Sequence, residues 1–315
     1  MTIKEFNELQ RASYKSLDTE EWLDIYFTRP IGLAFALLWR RLGVTPNTIT
    51  ILSFFLGAGA GWMFWHTDLA SNVCGVLLLM FANFCDSTDG QLARLTNQKS
   101  LLGRILDGAA SNIWFACCYI AIALRLYGEP IPGTDIHWGL GSWLLVALAG
   151  LGGHAVQARL ADYYRQLHLY FLLGKEGSEL DNAASQAVMR DKYRKERNWI
   201  AYMFFYNYVN YCKAQEKSTP NFQRLHRALL DKYGSVDRFP QEFRDEFRKN
   251  SLPLMKYTNI LTHNCRAIML FIGCLANCPW IYPVFELTVL FVIYIYMHKT
   301  HEAFCKRLLD IMNNE

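Results

Sequence analysis

Cys85 to Asn112 reads CDSTDGQLARLTNQKSLLGRILDGAASN. The stretch carries three carboxylates, Asp86, Asp89 and Asp107, in an otherwise apolar setting, with VLLLMFANF before it and IWFACCYIAIAL after it. At about 100° per residue, Asp86, Asp89, Gly90 and Ala93 stack on one face of a helix. Thr96, Asn97 and Gln98 interrupt the apolar run and predict a turn, after which Gly103 and Asp107 again fall one helical turn apart. Two antiparallel helices joined in this way aim Asp86, Asp89 and Asp107 at one point. Three converging carboxylates repel one another at low dielectric unless a cation sits between them, and all-oxygen ligation suits Mg²⁺ or Mn²⁺. Gly90, Ala93 and Gly103 leave room for a flat or bulky ligand to press against the backbone.

Outward from this stretch the chain alternates between two unlike compositions. Of its 315 residues 52% are hydrophobic and 15% aromatic, rich for a soluble protein. Apolar blocks lie around 46–66, 73–84, 113–124, 138–158 and 260–298, and a polar block runs from about 159 to 256. Hydropathy predicts six spans, roughly 46–66, 70–95, 100–125, 138–160, 257–278 and 280–299, each able to cross ~30 Å of hydrocarbon as a helix. The expected fold class is therefore an all-α polytopic membrane protein of six transmembrane helices. An amphipathic surface helix precedes them, and a helical cytoplasmic insertion separates spans 4 and 5. The corresponding segments are 1–44 (juxtamembrane), 45–174 (spans 1–4 with the acidic motif), 175–255 (insertion) and 256–315 (spans 5–6 and tail).

Lysine and arginine set the expected orientation. With the N-terminus cytoplasmic, all 32 basic residues except Arg125 and Arg266 fall on the cytoplasmic side. That places the Asp cluster near the cytoplasmic surface. The first 20 residues are polar and lack the apolar core of a cleavable signal. Nine cysteines, an odd number without a CxxC pair and partly inside apolar spans, suggest packing residues rather than a disulfide framework.

Residues 3–28 are expected to form a helix on the membrane surface that ends at Pro30, since Trp22, Tyr26 and Phe27 mix with Asp18, Glu20, Glu21 and Asp24. IGLAFALLWRRLG is too short to span and reads as interfacial. Thr45 and Pro46 suit the cap and first turn of the next helix. In the polar block, the charged stretches 187–200 and 213–250 flank the aromatic run WIAYMFFYNYVNY. The charges are of mixed sign, which argues against nucleic acid as a partner. The expectation is cytoplasmic helices that cap the mouth of the site or lie on anionic lipid, with the aromatic run at the interface.

The pattern Asp86-x2-Asp89-Gly90-x2-Ala93-Arg94-x8-Gly103-x3-Asp107 resembles the signature of the CDP-alcohol phosphotransferases, membrane enzymes that build phospholipid head groups. Thr45-Pro46-Asn47 also resembles what precedes the first span in that family. The resemblance implies two Mg²⁺ or Mn²⁺ ions held by Asp86, Asp89 and Asp107. It implies that Asn47, Gly90, Ala93, Arg94 and Gly103 surround the nucleotide and diphosphate. The implied reaction is attack of an alcohol on the phosphate distal to cytidine, releasing CMP. In members with a phosphorylated polyol as acceptor, basic residues on the fourth and fifth spans grip its phosphate. Arg159, Arg165 and Arg266 take that part by resemblance, and Arg266 also draws notice because a cation deep in an apolar span usually faces a cavity.

The family's fourth acid, the proton acceptor for the attacking hydroxyl, falls at position 111, which is Ser111, followed by Asn112. A serine of ordinary acidity cannot act as a base near neutrality. Three readings stand open: a helix shifted by one residue with Asn112 in the acid's place, a base from elsewhere, or a chain that does not turn over. The expected function is transfer of a substituted phosphate from a CDP-activated donor, foremost CDP-diacylglycerol, to a small polar alcohol such as inositol phosphate. One alternative is transfer from a CDP-amino-alcohol to a lipid hydroxyl of diacylglycerol or ceramide. The other is a silent CDP-lipid-binding member. A homodimer through the spanning helices is a further expectation from the resemblance.

Overall fold

A computed structural model describes residues 3–12, 16–98 and 100–314, and among them the secondary structure is helical, with one isolated antiparallel bridge between Pro130 and His137. The helices are α1 (Ile3–Ala12), α2 (Arg29–Arg41), α3 (Pro46–Trp65), α4 (Leu69–Leu95), α5 (Leu101–Tyr127), α6 (Leu140–Ala147), α7 (Ala155–Leu173), α8 (Ala183–Lys195), α9 (Trp199–Ser218), α10 (Pro220–Tyr233), α11 (Gln241–Ile260), α12 (His263–Leu275), α13 (Ile281–Phe285) and α14 (Phe291–Asn314). Side chains open the three helices that carry the motif. Thr45 accepts from Thr48 N, Asp68 from Ser71 N and Ser100 from Gly103 N, at the starts of α3, α4 and α5. Asn97 takes a left-handed conformation (φ 55°) and reverses the chain after α4.

Five helical stretches among the described residues are long and apolar enough to cross a membrane: Pro46–Trp65, Leu69–Leu95, Gly103–Tyr127, Leu140–Leu173 and Ile281–Asn313. The expected span 257–278 is not one of them. The helix breaks at Leu261–Thr262, where the Thr262 hydroxyl donates to Asn259 O at 2.6 Å, and α12 has 13 residues. Thirteen residues reach only about 20 Å. The fourth span runs on to Leu173 instead of stopping near 160. No breaking residue intervenes before Gly174, which adopts φ +79°, and past the π-helical turn Leu148–His154 the helix buries Tyr163, Tyr164, Leu167 and Phe171.

The N-terminal expectation also needs correction. No single helix covers 3–28: a turn occupies 17–19, and helix resumes at Trp22 and continues through Pro30 into α2. A proline ring clashes with the carbonyl four residues before it. The wider π-helical turn Asp24–Thr28 immediately precedes Pro30 and opens that part of the helix.

The helices form two compact units. The first joins α1 and Glu20–Val156 to His263–Phe291. Within it α3 packs closely on α5, because a Cβ at Gly57 would overlap the Trp114 indole and one at Gly61 would sit 2.9 Å from the Cys117 carbonyl. Trp114, Phe64, Leu79, Ile122, Leu270 and Tyr282 are buried around this contact. Arg125, expected in a loop opposite the basic side, lies buried on α5. Its guanidinium donates to Phe64 O (3.0 Å), Asn72 Oδ1 (2.9 Å) and Asn277 Oδ1 (2.5 Å), so the cation ties helix ends together.

The second unit contains Ser16–Thr19, Gln157–Thr262 and the chain from Val292 onward. Phe171 and Phe247 stack with centroids 3.7 Å apart, and Tyr164 stacks on His301 at 4.0 Å. Glu302 on α14 accepts from Asn221 N (2.8 Å) and Phe222 N (3.4 Å), placing a carboxylate on the N-terminus of α10. Asp18 accepts from Arg248 Nε (2.8 Å) and Nη2 (3.0 Å) and lies 3.1 Å from His168 Nε2, which fastens the Ser16–Thr19 segment to α11 and α7.

Candidate active site

The acids owe their direction to what lies behind α4. A Cβ at Gly32 of α2 would sit 2.5 Å from Ser87 Oγ, and Gln91 Nε2 donates to Arg29 O at 3.1 Å. With Ser87 and Gln91 against α2, the face bearing Asp86, Asp89 and Gly90 turns toward α3 and α5.

On that face the three motif acids come together. Asp86 and Asp107 carry carboxyl groups within hydrogen-bonding reach of each other, and each feels the charge of Asp89. Asp89 is 3% exposed, and the Thr50 hydroxyl of α3 donates to its Oδ2. Arg94 adds a cation to the neighbourhood of Asp89. Its Nη1 also lies 3.6 Å from where a Cβ of Gly90 would stand. Gly103 meets Asn47 at the other end of the cluster: an added Cβ would approach Asn47 Oδ1 to 2.9 Å. Ala93 is half-buried on α4, one turn after Gly90. Among the described residues no group of three or more His, Cys, Asp or Glu stands in a geometry that holds a metal ion. The acids are neighbours rather than a completed shell.

The fourth position is clear in its geometry. α5 is regular from Leu101 to Tyr127, so Ser111 lies one turn beyond Asp107 on the same face, half-buried. Asn112 is exposed and its amide donates to Gly108 O at 3.1 Å. The helix has no one-residue shift that would bring Asn112 into the acid's place.

Two contributors to the cluster lie outside the acidic motif. Thr50 belongs to the apolar span of α3. Asp24, assigned to a surface helix, lies close enough to Asp86 for its charge to act there. Asn264 holds the acids of this segment, donating to Glu21 Oε2 (2.8 Å) and Asp24 Oδ1 (3.1 Å). The i, i+3 spacing of Glu21 and Asp24 was the one available signal.

The expected acceptor-binding arginines divide. Arg159 and Arg165 lie in the second unit, half-buried on α7, with Arg165 Nη2 donating to Asn259 Oδ1 at 3.1 Å. Arg266 belongs to the first unit and is wholly buried. Its Nε and Nη2 donate to the Glu286 carboxylate at 3.0 and 2.9 Å, and Glu286 is equally buried. The Tyr119 hydroxyl also bonds Glu286 and accepts from Tyr282 at 2.8 Å. The pair neutralises the cation within the first unit.

Residues 43–156 match the family model described as CDP-alcohol phosphatidyltransferase. An archaetidylinositol phosphate synthase of Pyrococcus horikoshii is 34% identical over 83 residues, which is 26% of this chain and 43% of that protein. A putative cardiolipin synthase of Mycobacterium tuberculosis is 30% identical over 84 residues, 27% of this chain and 39% of that protein. An uncharacterized protein of Aquifex aeolicus is 33% identical over 91 residues, 28% of this chain and 45% of that protein. The chain thus spans less than half the length of these curated relatives.

Proposed function

Because residues 43–156 match the family model described as CDP-alcohol phosphatidyltransferase, we propose that the chain transfers a substituted phosphate from CDP-diacylglycerol to a small polar alcohol and releases CMP. The gathering of Asp86, Asp89 and Asp107 on facing sides of α4 and α5 carries this reading. Three carboxylates with one nearby arginine form an acid-rich, oxygen-only donor set, which fits hard divalent cations. Asp86, Asp89 and Asp107 would hold Mg²⁺ or Mn²⁺, two ions by family resemblance. Such ions supply positive charge against the diphosphate and a polarised phosphoryl oxygen.

The chain's own residues do the rest. Thr50 fixes the orientation of Asp89 through its hydroxyl. Arg94 offers guanidinium N–H groups to a diphosphate oxygen. Asn47 and Gly103, brought close together at one end of the cluster, would face the nucleotide by family resemblance. The acceptor oxygen bonds to the phosphorus distal to cytidine, the bond to the CMP oxygen breaks, and the hydroxyl proton leaves to a base. Ser111 is not that base. An inositol phosphate acceptor draws support from the archaetidylinositol phosphate synthase likeness. A cytoplasmic location for the site follows from the distribution of lysine and arginine.

The assay is CMP release by the purified chain with CDP-diacylglycerol, Mn²⁺ or Mg²⁺ and a panel of alcohols, with CDP-ethanolamine as competing donor. Turnover that vanishes in Asp86→Asn is expected. Background-level release from both proteins overturns the transferase reading. Ser111 favours a second reading, a member that binds CDP-lipid and metal without turnover, for which nucleotide binding persists while CMP release stays at background.

A further inference from the structure

α8 and α9 form a hairpin whose turn is built to project. Arg197 closes α8 in a left-handed conformation (φ 55°), and Asn198 caps α9 by accepting from Ala201 N at 3.1 Å. Below the turn, Tyr193 stacks on Phe205 with centroids 5.0 Å apart, and the Tyr208 hydroxyl donates to Asp181 at 2.7 Å. One face of α9, with Ala201, Phe205, Val209 and Cys212, is buried in the second unit. The opposite face begins with large apolar side chains in the open: Trp199 is 60% exposed, Ile200 72% and Met203 56%.

That exposed face changes character along the helix. Beyond Tyr206 it continues with Asn207, Asn210, Lys213 and Lys217, so the apolar part is confined to the tip. Arg194, Lys195 and Arg197 stand beside it, exposed and in no ion pair among the described residues. An exposed apolar tip with flanking cations is the composition that sits at the boundary between head groups and acyl chains. Unpaired cations beside it add attraction for anionic lipid over a Debye length. A nucleic acid gains nothing from the exposed Ile200 and Met203.

We propose that the α8–α9 hairpin tip is an anchor for an anionic phospholipid bilayer surface, with Trp199, Ile200 and Met203 entering the head-group boundary and Arg194, Lys195 and Arg197 engaging lipid phosphates. Contact with lipid buries the turn and suppresses the local opening that hydrogen exchange reads. The experiment is hydrogen–deuterium exchange of the full chain in nanodiscs of phosphatidylcholine alone or with about 30 mol % phosphatidylglycerol. Exchange over residues 194–204 slows about tenfold in the anionic discs, while peptides from α10 exchange equally in both.

Trp199→Ser with Ile200→Ser removes the slowing, as does the triple change Arg194→Gln, Lys195→Gln and Arg197→Gln. Lys213→Gln with Lys217→Gln, lower on the same face, leaves it intact and controls for general charge loss. Equal exchange in both lipid compositions overturns the inference. So does slowing that survives the tip substitutions, and so does equal protection in lipid-free detergent.

Discussion

Arg266 and Glu286 face each other at 2.9 Å with neither side chain exposed. Each has left water for an apolar interior, so the pair is stable only as a pair. Removing one member leaves an uncompensated buried charge, a loss of about 3–5 kcal/mol. Glu286→Ala is expected to lower the unfolding free energy of the purified protein by that amount, whereas Arg266→Met with Glu286→Leu recovers most of it. The double variant also tests the residue's role. Acceptor KM within about threefold of the parent's, less than one ordinary hydrogen bond is worth, leaves Arg266 structural, and a tenfold or larger rise in KM returns it to the acceptor site.

Thr50 reaches from α3 to hold Asp89 on α4, the relation that metal-bearing carboxylates commonly have with a hydrogen-bonding neighbour. Thr50→Val keeps the shape and removes the donor. Mn²⁺ affinity, followed by titration calorimetry on the chain with CDP-diacylglycerol, is expected to fall about 10–100-fold. Asp89→Asn is expected to abolish binding in the same titration, and chelation by EDTA to stop CMP release until Mn²⁺ is restored. Unchanged affinity in Thr50→Val would mean that the hydroxyl only packs α3 on α4.

The acidic motif and its turn were legible because their determinants are local. Thr96-Asn97-Gln98 marks a chain reversal by residue type alone, and Asn97 adopts the left-handed conformation that such a residue tolerates. Thr45 and Pro46 announce a helix start in the same way. What escaped depends on helices meeting across sequence. Thr50 and Asp89 are 39 residues apart and Arg266 and Glu286 are 20 apart. Thr50 and Glu286, taken alone, are single polar residues in apolar runs. The break at Leu261–Thr262 escaped for the opposite reason. Hydropathy averaged over 257–278 hides two residues whose side chains and turns end a helix. Pro30 misled because a proline stops a regular helix, while a π-helical turn before it lets the helix continue.

Asp18 gives the second unit a dependence on acid. Arg248 bonds to both of its carboxylate oxygens and holds its pKa below the ordinary carboxylate range, against a smaller opposing effect of burial, with His168 the other group facing it. A depressed acid contributes stability above its unfolded pKa and loses it as pH falls through the folded value. Because Arg248 is exposed to solvent, the contribution is under about 1 kcal/mol. Thermal unfolding followed from neutral pH down through about pH 4 is expected to show an acid-side fall that Asp18→Asn flattens. An identical slope in the two proteins would assign the fall to other carboxylates.

Ser111 and Asn112 separate cleanly once the helix is in view. Ser111 shares the face of Asp107, while Asn112 is exposed and bonded to Gly108 O. An acid added at 111 therefore joins the cluster where the acceptor hydroxyl has to lose its proton, and an acid added at 112 points away from it. General-base assistance is worth about 10²–10⁴-fold in rate. Ser111→Asp is expected to raise CMP release by a factor in that range in a chain that otherwise turns over slowly or not at all. Asn112→Asp should leave it at the parental level. Equal gains from the two substitutions would contradict the helix register, and no gain from Ser111→Asp, with donor binding intact, would place the proton acceptor elsewhere in the cluster, with Asp24 the nearest acid outside the motif.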